Sequence, residues 1–167
     1  MNKMVSHLIT ALPILFLLIS CDLITELQSG SSKLTFKAAV IGEKVATTDT
    51  IVFNGKNIKS FNGTTGEVAF ADSMTISKLN SYRRIVCYLE SDSLFAFRVT
   101  SDIMSSIVND LVLNHNLYDG KYYFLDGYPP LINNTADVNM RILNKEKRSM
   151  AWTRFIEELK WEGKLKK

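Results

Sequence analysis

A twelve-residue apolar run, Leu8 to Ile19, broken only by Thr10 and Pro13, constrains this chain more than any other feature. It follows a short start that carries Lys3 and no acid, and it stops abruptly at Ser20-Cys21-Asp22. Crossing the hydrocarbon core takes about 20 apolar residues. The run is too short for that and has the size of the apolar core of a secretory signal. Removing residues 1–20 from the 167 leaves 147, enough for one domain with a real core. The expected organisation is a signal segment at 1–20, a polar tether at 21–32 and a single globular domain at 33–167.

The domain's first half reads as β-structure. Leu34, Phe36, Ala38 and Val40 alternate with Lys33, Thr35 and Lys37, the two-residue period of a half-buried strand. Asn54-Gly55-Lys56-Asn57, between Ile51-Val52-Phe53 and Ile58-Lys59-Ser60-Phe61, reads as a hairpin turn. Asn62 to Gly66 turns the chain again, and Met74-Thr75-Ile76 is a further short strand. Arg84–Leu89 and Leu94–Thr100, joined through Glu90-Ser91-Asp92-Ser93, form the clearest hairpin.

The period then changes. Ile103, Ile107 and Leu111, with Met104, Val108 and Val112, recur at helical spacing behind Ser101 as a cap and Asp102 in the first turn. Lys121–Leu125 returns to strand, ended by Pro129-Pro130. A last helix is expected from about Lys145 to Glu162, capped by Asn144 and stopped by Gly163. Its apolar stripe is Ala151, Trp152, Phe155, Ile156 and Leu159. The fold class is α+β: an antiparallel sheet of about six to eight strands with one internal helix and a C-terminal helix. A partly closed β-barrel with a terminal helix is the alternative.

Leu18-Ile19-Ser20-Cys21 resembles the lipobox of bacterial lipoproteins: leucine, a flexible position, a small residue, then cysteine. The resemblance implies that Cys21 carries diacylglycerol, that cleavage occurs before it, and that the chain is held in the cell envelope by its acyl chains, palmitate among them. Each buried CH₂ contributes about 0.8 kcal/mol, so several chains hold a protein far better than one. The resemblance extends to small uncharacterised lipoproteins of the Bacteroidota. Asp49-Thr50-Ile51, Asp72-Ser73-Met74 and Asp92-Ser93-Leu94 are similar to the short acceptor motif for O-linked glycans on exported proteins of that phylum. Asp22 after the cysteine resembles an enteric inner-membrane retention signal, whereas no acidic cluster for surface export follows. The expected location is the outer membrane facing the periplasm, with the inner membrane as the alternative.

With Cys21 lipidated, Cys87 is the sole thiol left, so no internal disulfide can form. It sits in the apolar run Ile85-Val86-Cys87-Tyr88-Leu89, where cysteine behaves as a small hydrophobe. Only Cys87 and His115 could serve a zinc site, so neither a metal nor another cofactor is expected. There is no Gly-x-Ser-x-Gly, phosphate-cradling glycine loop or His-Glu-x-x-His, and no catalytic residue is assigned. Asp119 and Asp126 each precede glycine and read as turn formers. From Arg141 onward, nine Lys and Arg face four Glu, which reads as a solvated helix face; contact with anionic headgroups is the sharper alternative.

Tyr118, Tyr122, Tyr123 and Tyr128 are the candidate ligand-binding residues, since tyrosine rings beside hydrogen-bonding groups can stack on a sugar or meet a protein. The competing reading is a strand with alternate rings in the core. The function expected is a lipid-anchored, non-enzymatic binding or accessory module for an envelope protein or glycan, with no nucleic-acid partner. An envelope hydrolase with spatially paired carboxylates, or a structural subunit of an envelope assembly, is the alternative.

Overall fold

Strand β1 (Leu34–Ile41) buries Leu34, Phe36 and Ala38 while Thr35 and Lys37 stay half-exposed, as its two-residue alternation requires. The computed structural model describes residues 32–41, 45–71, 79 and 81–167, of which Ser32–Lys167 cluster as one compact unit. Cys21 and the expected strand Met74-Thr75-Ile76 lie outside the described residues.

The remaining strands are β2 (Val45–Asn54), β3 (Ile58–Asn62), β4 (Glu67–Phe70), β5 (Arg84–Leu89), β6 (Asp92–Ser101), β7 (Val112–His115), β8 (Tyr122–Leu125) and β9 (Leu165–Lys166). They form one sheet of nine in the order β2-β1-β5-β6-β7-β8-β4-β3-β9, curled into a half-barrel. The α+β class holds, but the sheet is mixed. Strand β7 runs parallel to β6, and β9 runs parallel to β3.

The expected hairpin at Asn54–Asn57 is instead a 3-10 turn at Gly55–Asn57, closed by reciprocal Asn54 and Asn57 side-chain bonds. It joins β2 to β3, which do not pair; they sit near opposite ends of the strand order. A flat sheet could not connect them so tightly. Curling can, and Phe53 of β2 meets Phe70 of β4 at 5.3 Å between ring centroids. A Cβ at Gly55 would lie 1.8 Å from Ser32 Oγ and 2.9 Å from Ser32 Cβ, so a larger residue there would displace Ser32. The hairpin at 84–101 is present, with Glu90 and Ser91 as its loop and a bulge between Cys87 and Tyr88.

The expected internal helix is absent. After β6 the chain must cross over before running parallel as β7, and residues 102–111 make that crossing as a loop. Asp102, instead of capping a first turn, accepts hydrogen bonds from Asn114 Nδ2 at 2.9 Å and from the Leu117 amide at 3.0 Å. Val108 bridges to Tyr128 through paired backbone bonds of 2.8 Å. Half of the supposed helical stripe is buried (Val108, Leu111, Val112), while Ile103, Met104 and Ile107 are exposed. The β-branched residues among them are poor helix formers in any case.

Helix α1 (Thr135–Lys147) begins ten residues before the expected start, and α2 (Ser149–Trp161) follows after Arg148. The cap is Asn134, whose Oδ1 accepts from the Ala136 amide at 2.9 Å. Asn144 instead donates to the Asn109 carbonyl at 2.8 Å. The apolar stripe lies on α2: Phe155 and Leu159 are fully buried, with Ala151, Trp152 and Ile156 packed against the core.

Along β6, strand β7 pairs only with Arg98–Ser101, so among the described residues the first half of β6 has β5 alone as a partner. Helix α2 fills that space. Phe155 and Trp152 meet Phe95 at 5.4 and 5.3 Å, and Phe61 and Phe124 complete the aromatic cluster. Edge-to-face rings of this kind contribute about 0.5–1.5 kcal/mol per pair beyond burial.

Candidate functional site

Arg84 and Arg98 stand directly opposite one another on β5 and β6. Opposed residues of an antiparallel pair project from the same face with Cβ atoms about 4.5–5.5 Å apart, and like charges there repel. Neither guanidinium forms a hydrogen bond or ion pair among the described residues. Both line a cavity of about 190 Å³, walled also by Ile107, Val108, Asp110 and Asn144.

A second cavity of about 250 Å³ shares Arg84, Asp110 and Asn144 with the first and adds Lys147 and Arg148. Arg148, 9 % exposed, is held by Asp126 and lies 3.7 Å from Asp110 Oδ1; its buried Nη1 has no hydrogen-bond partner. Lys145 also pairs with Asp126, at 2.8 Å. Four cations therefore surround these two cavities against one lining acid, Asp110. A third cavity of about 490 Å³ shares Arg98 and Val108 with the first and is lined by Arg83, Thr100, Ser101, Ile103 and Met104. Charge of one sign in a low-dielectric cleft raises the local concentration of oppositely charged ligands.

The structure disperses the four candidate tyrosines. Tyr122 is buried on the inner face of the sheet, 5.2 Å from the Phe70 ring and 4.9 Å from His115, and burial raises its pKa. Tyr123, its neighbour in the strand, points to the other face, and its hydroxyl donates to Asp119 Oδ2 at 2.7 Å. The Asp119 carboxylate holds that proton in place and pushes the phenol up to about 12, while the same bond lowers the Asp119 carboxyl. Tyr128 is buried in a satellite cluster with Val108 and Val112. Tyr118, 96 % exposed, stands alone at the surface. No two of the four present rings side by side to one ligand.

Cys87 is wholly buried, and burial pushes its thiol well above the ordinary range. Asp119 accepts from the Lys121 amide at 2.9 Å, a turn-forming bond. Glu158 and Glu162 lie one turn apart on α2 and its C-terminus. Burial, then the charge of Glu162, raises the Glu158 carboxyl. Glu162 is bound by Lys164, which also donates to the Gly55 carbonyl at 2.6 Å. Neither glutamate lines any of the three cavities.

Sequence reasoning passed over Arg84 and Arg98. The available signal was their position, at the start of one hairpin strand and near the end of the other. Comparison of the chain with protein-family models, with curated proteins and with solved structures found no match.

Proposed function

We propose that this chain is a lipid-anchored, non-enzymatic binding or accessory module of the bacterial cell envelope, tethered through Cys21 and holding its partner at the Arg84–Arg98 groove. The observation that carries the binding reading is the unneutralised arginine pair. A fold spends stability to keep two like charges opposed, and an anionic group on a partner protein or glycan would relieve that repulsion. Lys147 extends the same positive track. The anchor rests on Leu18-Ile19-Ser20-Cys21 behind its apolar run.

Labelled-palmitate incorporation tests the anchor: Cys21→Ala abolishes it, and unchanged labelling would sink the anchor. The hydrolase alternative draws on one observation, the raised carboxyl of Glu158 beside Glu162. Turnover of glycan or peptidoglycan by the purified protein, lost in Glu158→Gln, would replace the binding reading with that one.

A further inference from the structure

We infer that the Ile103–Ile107 loop and its flanking arginines form a second membrane contact, in which the loop enters an anionic bilayer surface and Arg83 and Arg98 meet lipid headgroups. This goes beyond the proposed function, with which it shares Arg98: it concerns the loop and the third cavity beside it, and needs no lipid on Cys21.

The loop is apolar where a loop has no internal reason to be. Ile103 is 82 % exposed, Ile107 57 % and Met104 41 %, within five residues of one another. Only Ser105 and Ser106 separate them. Their apolar character is not used by the domain's own packing, because Val108, Leu111 and Val112 fill the interior here. Two arginines flank the same patch. Arg83 and Arg98 line the cavity that Ile103 and Met104 also line. Neither has an ion pair or hydrogen bond among the described residues.

Among the described residues two acids lie nearby, and both are engaged. Asp102 is held by Asn114 and the Leu117 amide, and Asp110 accepts from the Leu111 amide at 2.8 Å and faces Arg148. Exposed apolar side chains rimmed by unpaired cations match a bilayer interface, where the apolar groups enter the acyl boundary and the cations meet anionic headgroups. Nucleic acid fits poorly, since the cavity wall offers no exposed aromatic ring for base stacking.

The test uses residues 32–167, the compact unit, with vesicles of phosphatidylglycerol mixed with phosphatidylcholine and vesicles of phosphatidylcholine alone. Co-sedimentation is expected with the anionic vesicles and not with the neutral ones. Ile103→Ser with Ile107→Ser, at sites exposed enough to leave the fold unchanged, should weaken binding at least tenfold, and Arg83→Glu with Arg98→Glu likewise. Ile103→Trp should shift its fluorescence to the blue when anionic vesicles are added. Equal binding to neutral vesicles, indifference to either double variant, or no blue shift would overturn the inference. So would binding to soluble polygalacturonate or an acidic peptide as tight as to vesicles, which would move the surface to a glycan or protein ligand. Because Cys21 is absent from this fragment, the outcome is independent of the palmitate experiment, and either reading can fail alone.

Discussion

Helices α1 and α2 are each thirteen residues long and follow one another directly, yet opposite chemistry holds them. Helix α2 inserts Phe155 and Leu159 into the aromatic core. Helix α1 buries no residue at all. Its inward side is polar: Asp137 and Arg141 bind the Asn109 side chain, Arg141 donates to the Pro129 carbonyl at 2.8 Å, and Asn144 reaches the Asn109 backbone. Val138, Met140, Ile142 and Leu143 are left at least a third exposed. Adjacent helices of equal length can thus be docked by apolar area in one case and by a network of directed bonds in the other. The first is strong and tolerant of small shifts; the second is weaker and depends on every partner.

Truncation of the apolar helix should give the largest effect. Phe155→Ala removes a ring that touches Phe61, Phe95, Phe124 and Trp152, and should cost about 3–5 kcal/mol in urea unfolding. A loss below about 1 kcal/mol would show that the core collapses around the gap and would erase the contrast.

Arg148, at the junction of the two helices, comes next. Arg148→Ala strips Asp126 and Asp110 of a shared cation and should cost about 1–3 kcal/mol, moderated by the half-exposed carboxylates. Arg148→Met, which keeps the packing volume, should recover part of that loss if the charge pair itself contributes little.

A third change, Asn109→Ala, acts on the polar latch alone. It removes the side-chain partners of Asp137 and Arg141 and should cost about 1 kcal/mol. The sharper reading is amide hydrogen exchange: protection should fall across α1 and persist in α2. Equal loss in both helices would mean that they unfold as one unit.

The smallest effect tests a single exposed polar bond. Tyr123 should titrate near 12 by ultraviolet absorbance, and Asp119→Asn should return it towards the ordinary value of 10.0. Because the folded protein holds this proton more tightly than the unfolded chain, the stabilisation is complete below pH 10 wherever Asp119 is ionised. It is lost as pH rises from 10 through 12. Titration at 10 in the unaltered protein would show that directed bonds on this surface do not persist in solution.

The same contrast explains what could be read in the sequence. Apolar periodicity reports burial, so β1, the hairpin at 84–101 and the α2 stripe were all legible. It is silent about α1, whose inward face is Asp137, Arg141 and Asn144, and the expected helix accordingly began too late. It misled at Ile103–Val112, where helical spacing is shared between an exposed loop and a buried crossing. The groove was hidden for a different reason. A two-residue turn at Glu90-Ser91 alone would set Arg84 opposite Phe97; the bulge at Cys87/Tyr88 shifts the register by one and brings it to Arg98. No propensity marks that bulge. The parallel placement of β7 and β9 likewise depends on crossings between distant segments, which local patterns do not encode.

Strand β9 sets the order in which this domain can be completed. Leu165 and Lys166 pair with Phe61 and Asn62, and Lys164 reaches Gly55 across 109 residues of sequence. On a growing chain, β3 therefore emerges early and keeps one edge unpaired until the last of these residues has left the ribosome. Contacts of such separation are slow to close and leave the nascent chain open meanwhile. Until β9 docks, β3 presents an open edge on which another strand could pair.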